Sequence, residues 1–422
     1  MDFAMDGNAN QNLAQFSLRD PSVIAEPWAF YKALHAAGSV WQDPGTGVWL
    51  VAGWRLIQEI LRDNERFSAV VDRPTLRPGG VPEAVREIQS TSVPSTPTLV
   101  GADPPVHDRL RPLVNNVFSA ERVESLAPFI GGVIDGLIDK FIADGRCEFV
   151  KAFSAPLPLI VIADQLGVDR DQIWKVKEWS DAIIEILGLM GTDESLVSCA
   201  LKQKEASDFL LGQVRLRRRE PVDSILSALA NTRDQSGAHL TDSEVVSILT
   251  QLMVAGNETT TNTLSAGILY LARDPALQDR VRAASPREMR IFVEEILRAE
   301  SPVQGHYRRA KVDVVVGGVA IPAGSVIHLR YGAANRDETV FPGADRIDLA
   351  RTNAPQHLAF GGGIHFCVGA MLARKELTMA FRALLDRLGN LVLDVDEAAL
   401  ERVPSSQHRG LVALPIRFTA RS

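Results

Sequence analysis

The chain has 422 residues, a net charge of −7, 46% hydrophobic and 23% charged residues, the balance of a soluble globular protein, which excludes disordered, collagenous and disulfide-built architectures. An acidic chain of this kind has no overall field for nucleic acid, which asks for a basic face, so no nucleic-acid partner is expected. Its three cysteines, Cys147, Cys199 and Cys367, are an odd, sparse set that suits a reducing compartment, so a cytoplasmic location is expected.

The N-terminal stretch Met1–Gly7 is acidic and lacks the basic start and apolar run of an export signal. Residues 38–54 read as strand, turn and strand, with apolar runs flanking Asp43-Pro44-Gly45-Thr46-Gly47. A helix-period segment runs from Trp54 to Arg62. The stretch from Phe67 to Pro105 is rich in Pro, Gly, Ser and Thr and shows little periodicity. A loop of that length in a compact chain is characteristically functional, and this one is expected to admit substrate.

From about 107 to 300 the pattern is helical, with apolar residues at i, i+3, i+4 spacing as in Ile134, Leu137, Ile138 and Phe141. The most apolar run, Ala155–Ala163, holds two prolines and falls far short of the ~20 residues of a membrane span, so no membrane anchor is expected. The basic run Arg215–Arg219 has no interleaved aromatics and is followed by Glu220-Pro221, so it reads as a solvated helix end. Thr241-x-x-Glu244 is a capping box, and the apolar pattern that follows runs to Arg273, where Asp274-Pro275 ends it. That is a helix of about 30 residues, or ~45 Å. Its first half (Val245, Val246, Ile248, Leu249, Leu252, Met253, Val254) is apolar on nearly all sides, so it is expected to pass through the core. Residues 310–330 alternate as β-structure. A loop-rich stretch, a last helix from Val368 to Leu388 and a β-like C-terminus follow. With no repeat and no linker, the expectation is one domain over 1–422, mainly α with a smaller β part.

Two segments carry chemistry. Phe360-Gly361-Gly362-Gly363-Ile364-His365-Phe366-Cys367-Val368-Gly369 stands directly before a helical run. Glycines let a backbone approach a flat ligand, and a thiol at a helix N-terminus has its thiolate favoured. A Phe-Gly-x-Gly-x-His-x-Cys-x-Gly string arises by chance in about one chain in 100,000 of this length. Cys147 and Cys199 read instead as small buried hydrophobes. The second segment, Ala255-Gly256-Asn257-Glu258-Thr259-Thr260, interrupts the long buried helix with an acid and hydroxyls, costly unless hydrogen-bonded or used in chemistry. Back-bonding of the threonines to i−4 carbonyls is the structural alternative.

The 360–369 segment resembles the haem-binding loop of the cytochrome P450 family, and further family motifs follow across the chain in family order. The resemblance implies the family's fold, a triangular helix-rich body with a long central helix over the haem. It also implies haem b with Cys367 as the thiolate on the iron, a ligand that favours O–O cleavage. Phe360, Gly361, His365, Gly369 and Ala255 are then haem contacts, with Glu258 as proton relay and Thr259 as its hydrogen-bonding guide. Two departures from the family pattern are Glu258, where Asp is commoner, and Gly362 between the motif glycines.

By the same resemblance, Glu295 and Arg298 pair with Arg351, in preference to Arg346, to support the cysteine loop. His107, Arg111, His365 and Arg308, with Arg309 as the alternative to Arg308, meet the haem propionates. The implied reaction inserts one atom of O₂ into a hydrophobic small molecule that is terpenoid, steroid, aromatic or fatty-acid-like. Electrons come from NAD(P)H only indirectly, through an external ferredoxin and ferredoxin reductase docking near Arg109, Arg374 and Lys375. A peroxide-driven enzyme and a non-catalytic sensor are the alternatives, and a monomer is expected. Family recognition regions fall on Phe67–Leu99, Ile184–Val197, Met253–Ala255, Val303–His306, Gln407 and His408. Arg73 and Arg77 are either carboxylate contacts or plain loop charge.

Overall fold

The computed structural model describes residues 13–18, 20–71, 77, 80–188 and 191–421; the acidic N-terminal stretch and Arg73 lie outside them. The chain divides into two compact units.

The first unit takes in Met1–Val71, Ala266–Cys367 and Asp396–Val412. Its centre is a five-stranded sheet in the order Val40–Gln42, Trp49–Val51, Val326–Arg330, Gly305–Ala310, Phe67–Ser68. The turn between the first two strands forms as its residues dictate: the Asp43 carboxylate accepts from Gly45 N and Thr46 Oγ1, and Gly47 takes a φ of 71°. Helix Trp54–Arg62 has the bounds its apolar spacing predicts and buries Ile57, Ile60 and Leu61 against Val40, Val51, Ile327 and Leu329 of the sheet. Helix Pro286–Glu300 starts from a complete Ser285/Glu288 capping box and is buried along its whole second half.

The second unit takes in Asp72–Ser265, Val368–Val395 and Ala413–Ser422; its described residues are mainly helical, with a three-stranded sheet of Arg146–Glu148, Pro415–Ala420 and Leu388–Leu393. Four features of the chain correct the sequence reading. The stretch after Phe67 is not loop throughout. Phe67–Ser68 pairs with Ala310 and Arg309, and Glu83–Ser90 is a helix whose Val85 and Ile88 pack with Leu196 and Ala200. Two apolar residues in two turns are too few to register as a period.

The region 107–300 also holds a strand, Arg146–Glu148, specified by its partner Pro415–Arg417 and not by its own three residues. The basic run is anchored as well as solvated: Arg218 donates to Ala230 O (3.1 Å), Leu240 O (2.7 Å) and the Asp242 carboxylate. Lastly, the long helix Asp242–Arg273, capped through Thr241 and Glu244, is continuous for 32 residues and is not interrupted at 255–260. There Thr259, Thr261, Thr263 and Ser265 each donate to the carbonyl four residues back, so the hydroxyls are satisfied without opening the helix. Among the described residues no helix is long and apolar enough to cross a membrane.

Candidate active site

In the first unit the cysteine segment folds into a closed loop. Gly361 N donates to Leu358 O (2.8 Å) and Cys367 N to Phe360 O (2.9 Å). Gly361 and Gly363 have φ of 68° and 60°, conformations that L side chains avoid. A Cβ on Gly363 would lie 1.9 Å from Leu61 O, so helix Trp54–Arg62 sets how close the loop lies. Cys367 emerges half-buried just before helix Ala370–Arg387. The other thiols are unsuited to ionise: burial, with Glu148 beside it, pushes Cys147 up to about 12, and burial, with Glu185 beside it, pushes Cys199 up to about 11.

Behind the loop lies a buried charge cluster. Glu295 accepts from Arg298 Nε (2.6 Å) and Nη2 (3.0 Å) and from Asp348 N (2.9 Å), and Arg351 Nε lies 3.0 Å from its Oε1. Arg298 then reaches the carbonyls of Asn335, Ala344 and Arg346, so Arg351 is the side-chain partner and Arg346 offers only its backbone. Asn335 Oδ1 accepts from Leu358 N (2.6 Å), and His357 meets Glu294 at 3.0 Å. These contacts hold the residues from which the cysteine loop springs. Alternation along Gly305–Ala310 separates the two arginines. Arg308 is 3% exposed, and its charge acts on Tyr331, which also meets the His306 ring at 5.8 Å, whereas Arg309 is half-buried on the other face.

In the second unit the long helix carries an open strip. Ala255 is exposed and Val254, Gly256 and Thr259 are half-buried, whereas Asn257, Glu258, Thr260 and Thr261 are buried. Thr259 Oγ1 donates to Ala255 O at 3.0 Å. Glu258, one residue back along the helix, lies 3.5 Å from Lys177 Nζ and accepts a long contact from Asn262 Nδ2 (3.4 Å). Lys177 pairs with Asp181 too. Burial alone would push the Lys177 ammonium down, but Glu258 and Asp181 together raise it; burial holds the Asp181 carboxyl above the ordinary range despite Lys177. Sequence reasoning missed Lys177 and Asp181, because an i, i+4 charge pair on a helix reads as solvated surface.

His107 is buried in the first turn of helix Val106–Val117, with Nδ1 3.3 Å from Asp108; half-buried Arg111, one turn on, donates from Nε to Asn115 Oδ1 (2.8 Å). Arg77 is committed to its own chain, through Gly80 O (2.8 Å), Gly191 O (3.2 Å) and Asp193 (2.7 Å). Of the basic trio, Arg109 is neutralised by Asp234 (3.2 Å) and Glu244, and Lys375 meets Glu124 at 2.9 Å. A surface cavity of 190 Å³ beside Trp28, Tyr31 and His35 contains none of the predicted site residues.

Comparison with known proteins shows the class, that of the haem-thiolate oxygenases. The Cytochrome P450 family profile matches residues 200–411. The chain is 35% identical over 410 residues to the cytochrome P450 monooxygenase PikC of Streptomyces venezuelae, covering 93% of this chain and 91% of that one. It is 34% identical to a steroid C26-monooxygenase of Mycobacterium tuberculosis, covering 77% and 87%. The solved cytochrome P450 CYP109Q5 from Chondromyces apiculatus superposes with a TM-score of 0.83 at 32% identity, covering 96% of this chain and 99% of that one. The chain belongs to the cytochrome P450 family and is a P450 monooxygenase. The family's cofactor is haem with thiolate-ligated iron, and the cysteine loop fits it: a glycine-closed turn presenting one half-buried cysteine.

Proposed function

We propose that Cys367 is the iron ligand of a monooxygenase acting on a hydrophobic small molecule, with electrons from NAD(P)H delivered by an external ferredoxin and its reductase. The closed loop at 360–367, ending where a helix N-terminus favours a thiolate, is the observation that carries this reading. When bound, the haem supplies activation of O₂; the chain's own residues supply position and protons. His107, Arg111, His365 and Arg308 hold the propionates, with Arg308 preferred to Arg309 for its burial beside Tyr331. Phe360, Gly361, Gly369 and Ala255 leave room for the flat ring.

Thr259, on the open strip, holds a proton at its hydroxyl, which turns from Ala255 O to the reaction side when required. Glu258 replenishes that proton from the side of Lys177 and Asp181, and its loose contacts leave it able to do so. A hydrophobic substrate such as a steroid is supported by the apolar character of Val254 and Ala255 and by the relative named a steroid C26-monooxygenase. Exposed Met371 and the basic Arg374, on one helix of the second unit, make the docking surface for the ferredoxin, and Arg109 is neutralised by its two acids. The protein works as a cytoplasmic monomer and a single catalytic domain.

The test is NADPH consumption with product formation from a steroid panel in the presence of ferredoxin and reductase, run beside hydrogen peroxide alone. Substrate-dependent turnover with the protein partners supports the reading. Turnover with peroxide only marks a peroxide-driven enzyme, and spectral binding without product a carrier.

A further inference from the structure

The C-terminal chain of the first unit makes a narrow hairpin from Glu401 to Val412. Val412 N donates to Glu401 O (2.9 Å), Val403 N donates to Gly410 O (3.1 Å), and Arg402 and Leu411 form a bridge. So short a ladder is marginal by itself. Its tip is tied to the segment after helix Pro286–Glu300: Gln304 N donates to Gln407 O (2.7 Å), Arg409 N donates to Pro302 O (3.0 Å), and Val303 bridges His408. Two segments expected to contact substrate are thus one hydrogen-bonded body.

What fixes that body is a carboxylate. Glu300 is buried, and its Oε2 lies 2.9 Å from Arg409 Nε and 3.5 Å from Arg402 Nη1, while Tyr270 donates to its Oε1 at 3.2 Å. Burial would push this carboxyl up, but Arg409, Arg402 and Arg336 bring it down to about 2, so it remains ionised throughout the working pH range. Arg409 also meets Glu26 (3.2 Å) and the Ala25 carbonyl and stacks 4.4 Å over Trp28, a ring that carries Arg336 at 3.5 Å. Glu295, one and a half turns earlier on the same helix, serves the cysteine loop instead.

We propose that Glu300, acting through Arg409 and Arg402, is a positioning residue that holds the Ser405–His408 turn and thereby determines which ligands the enzyme accepts. The proposal rests on the haem-thiolate reading above. It separates two duties along one helix: Glu295 holds the cofactor loop, and Glu300 holds the recognition turn. Loss of Glu300 therefore changes how bulky ligands fit and leaves the iron's own ligation alone.

Two iron-binding probes distinguish these effects in the holoenzyme. Imidazole is small enough to report on the iron alone; 4-phenylimidazole also reports on the space its ring must fill. In E300Q we expect the dissociation constant of 4-phenylimidazole to change by about tenfold, or about 1.4 kcal/mol, and that of imidazole by less than about twofold. The thiolate-type reduced carbon-monoxide band is expected to stay at full height. R409K, which keeps the buried charge but loses the guanidinium fork, shifts the first probe less and in the same direction. If E300Q does not fold, R409K is judged by the same split between the probes. Unchanged affinity for both probes, or an equal change in both, overturns the proposal. A missing thiolate band in the unaltered protein is a different failure, that of the haem-thiolate reading itself.

Discussion

Glu295 and Glu258 are both buried acids on helices, and their surroundings differ in kind. The Glu295 carboxylate takes two bonds from Arg298 and one from Asp348 N, with Arg351 close by, leaving it no freedom. Glu258 has a cation at 3.5 Å, an amide at 3.4 Å and an Oε2 without a well-formed hydrogen bond. A fully satisfied buried charge holds structure, because removing either partner strands the other. A loosely held one changes partners cheaply, as a proton relay requires.

Breaking the tight site gives the largest effect. E295Q leaves Arg298 and Arg351 without their counter-charge, and a loss of about 3–5 kcal/mol in urea unfolding is expected, with loss of haem retention. A variant within about 0.5 kcal/mol of the parent would show the cluster to be dispensable.

The loose site predicts the converse. E258Q should fold and bind haem normally while ferredoxin-supported turnover falls by about 100-fold and peroxide-driven turnover falls much less. Equal losses under both conditions would place Glu258 outside proton delivery.

A third acid sharpens the contrast. Glu376 is buried on helix Ala370–Arg387, its Oε2 has no hydrogen-bond partner among the described residues, and burial pushes its carboxyl up to about 8. A raised native value gives a contribution that is complete below the ordinary carboxyl range near 4.5 and is lost as pH rises through about 8. E376Q should therefore be about 1–3 kcal/mol more stable than the parent at pH 9 and nearly equal to it at pH 5, as read by thermal unfolding. A variant less stable at pH 9 would mean the carboxylate has a partner in solution. Smallest is K177Q, which releases one contact of Glu258 and should change turnover by about threefold or less with no change in folding.

The sequence carried the local half of this account. The turn at Asp43–Gly47, helix Trp54–Arg62, the Thr241 cap and the cysteine loop all depend on residues near one another in the chain, and each appears where its residues predict. Arg351 was legible as the partner of Glu295 and Arg298 only through the family resemblance. The rest was set by distant partners: strand Arg146–Glu148 exists because Pro415–Arg417 lies beside it, and Glu300 is held by arginines a hundred residues further on. Such partnerships leave no local period. At 255–260 the residues allowed two outcomes, an opened helix or hydroxyls bonded back to their own helix, and the structure takes the second.

If Cys367 supplies the thiolate, the reduced carbon-monoxide difference spectrum of the purified protein, with C367S beside it, will show it. A strongly red-shifted Soret band is expected in the parent and is lost in C367S. A histidine-type band in the folded parent, or a red-shifted band that survives in C367S, would contradict it.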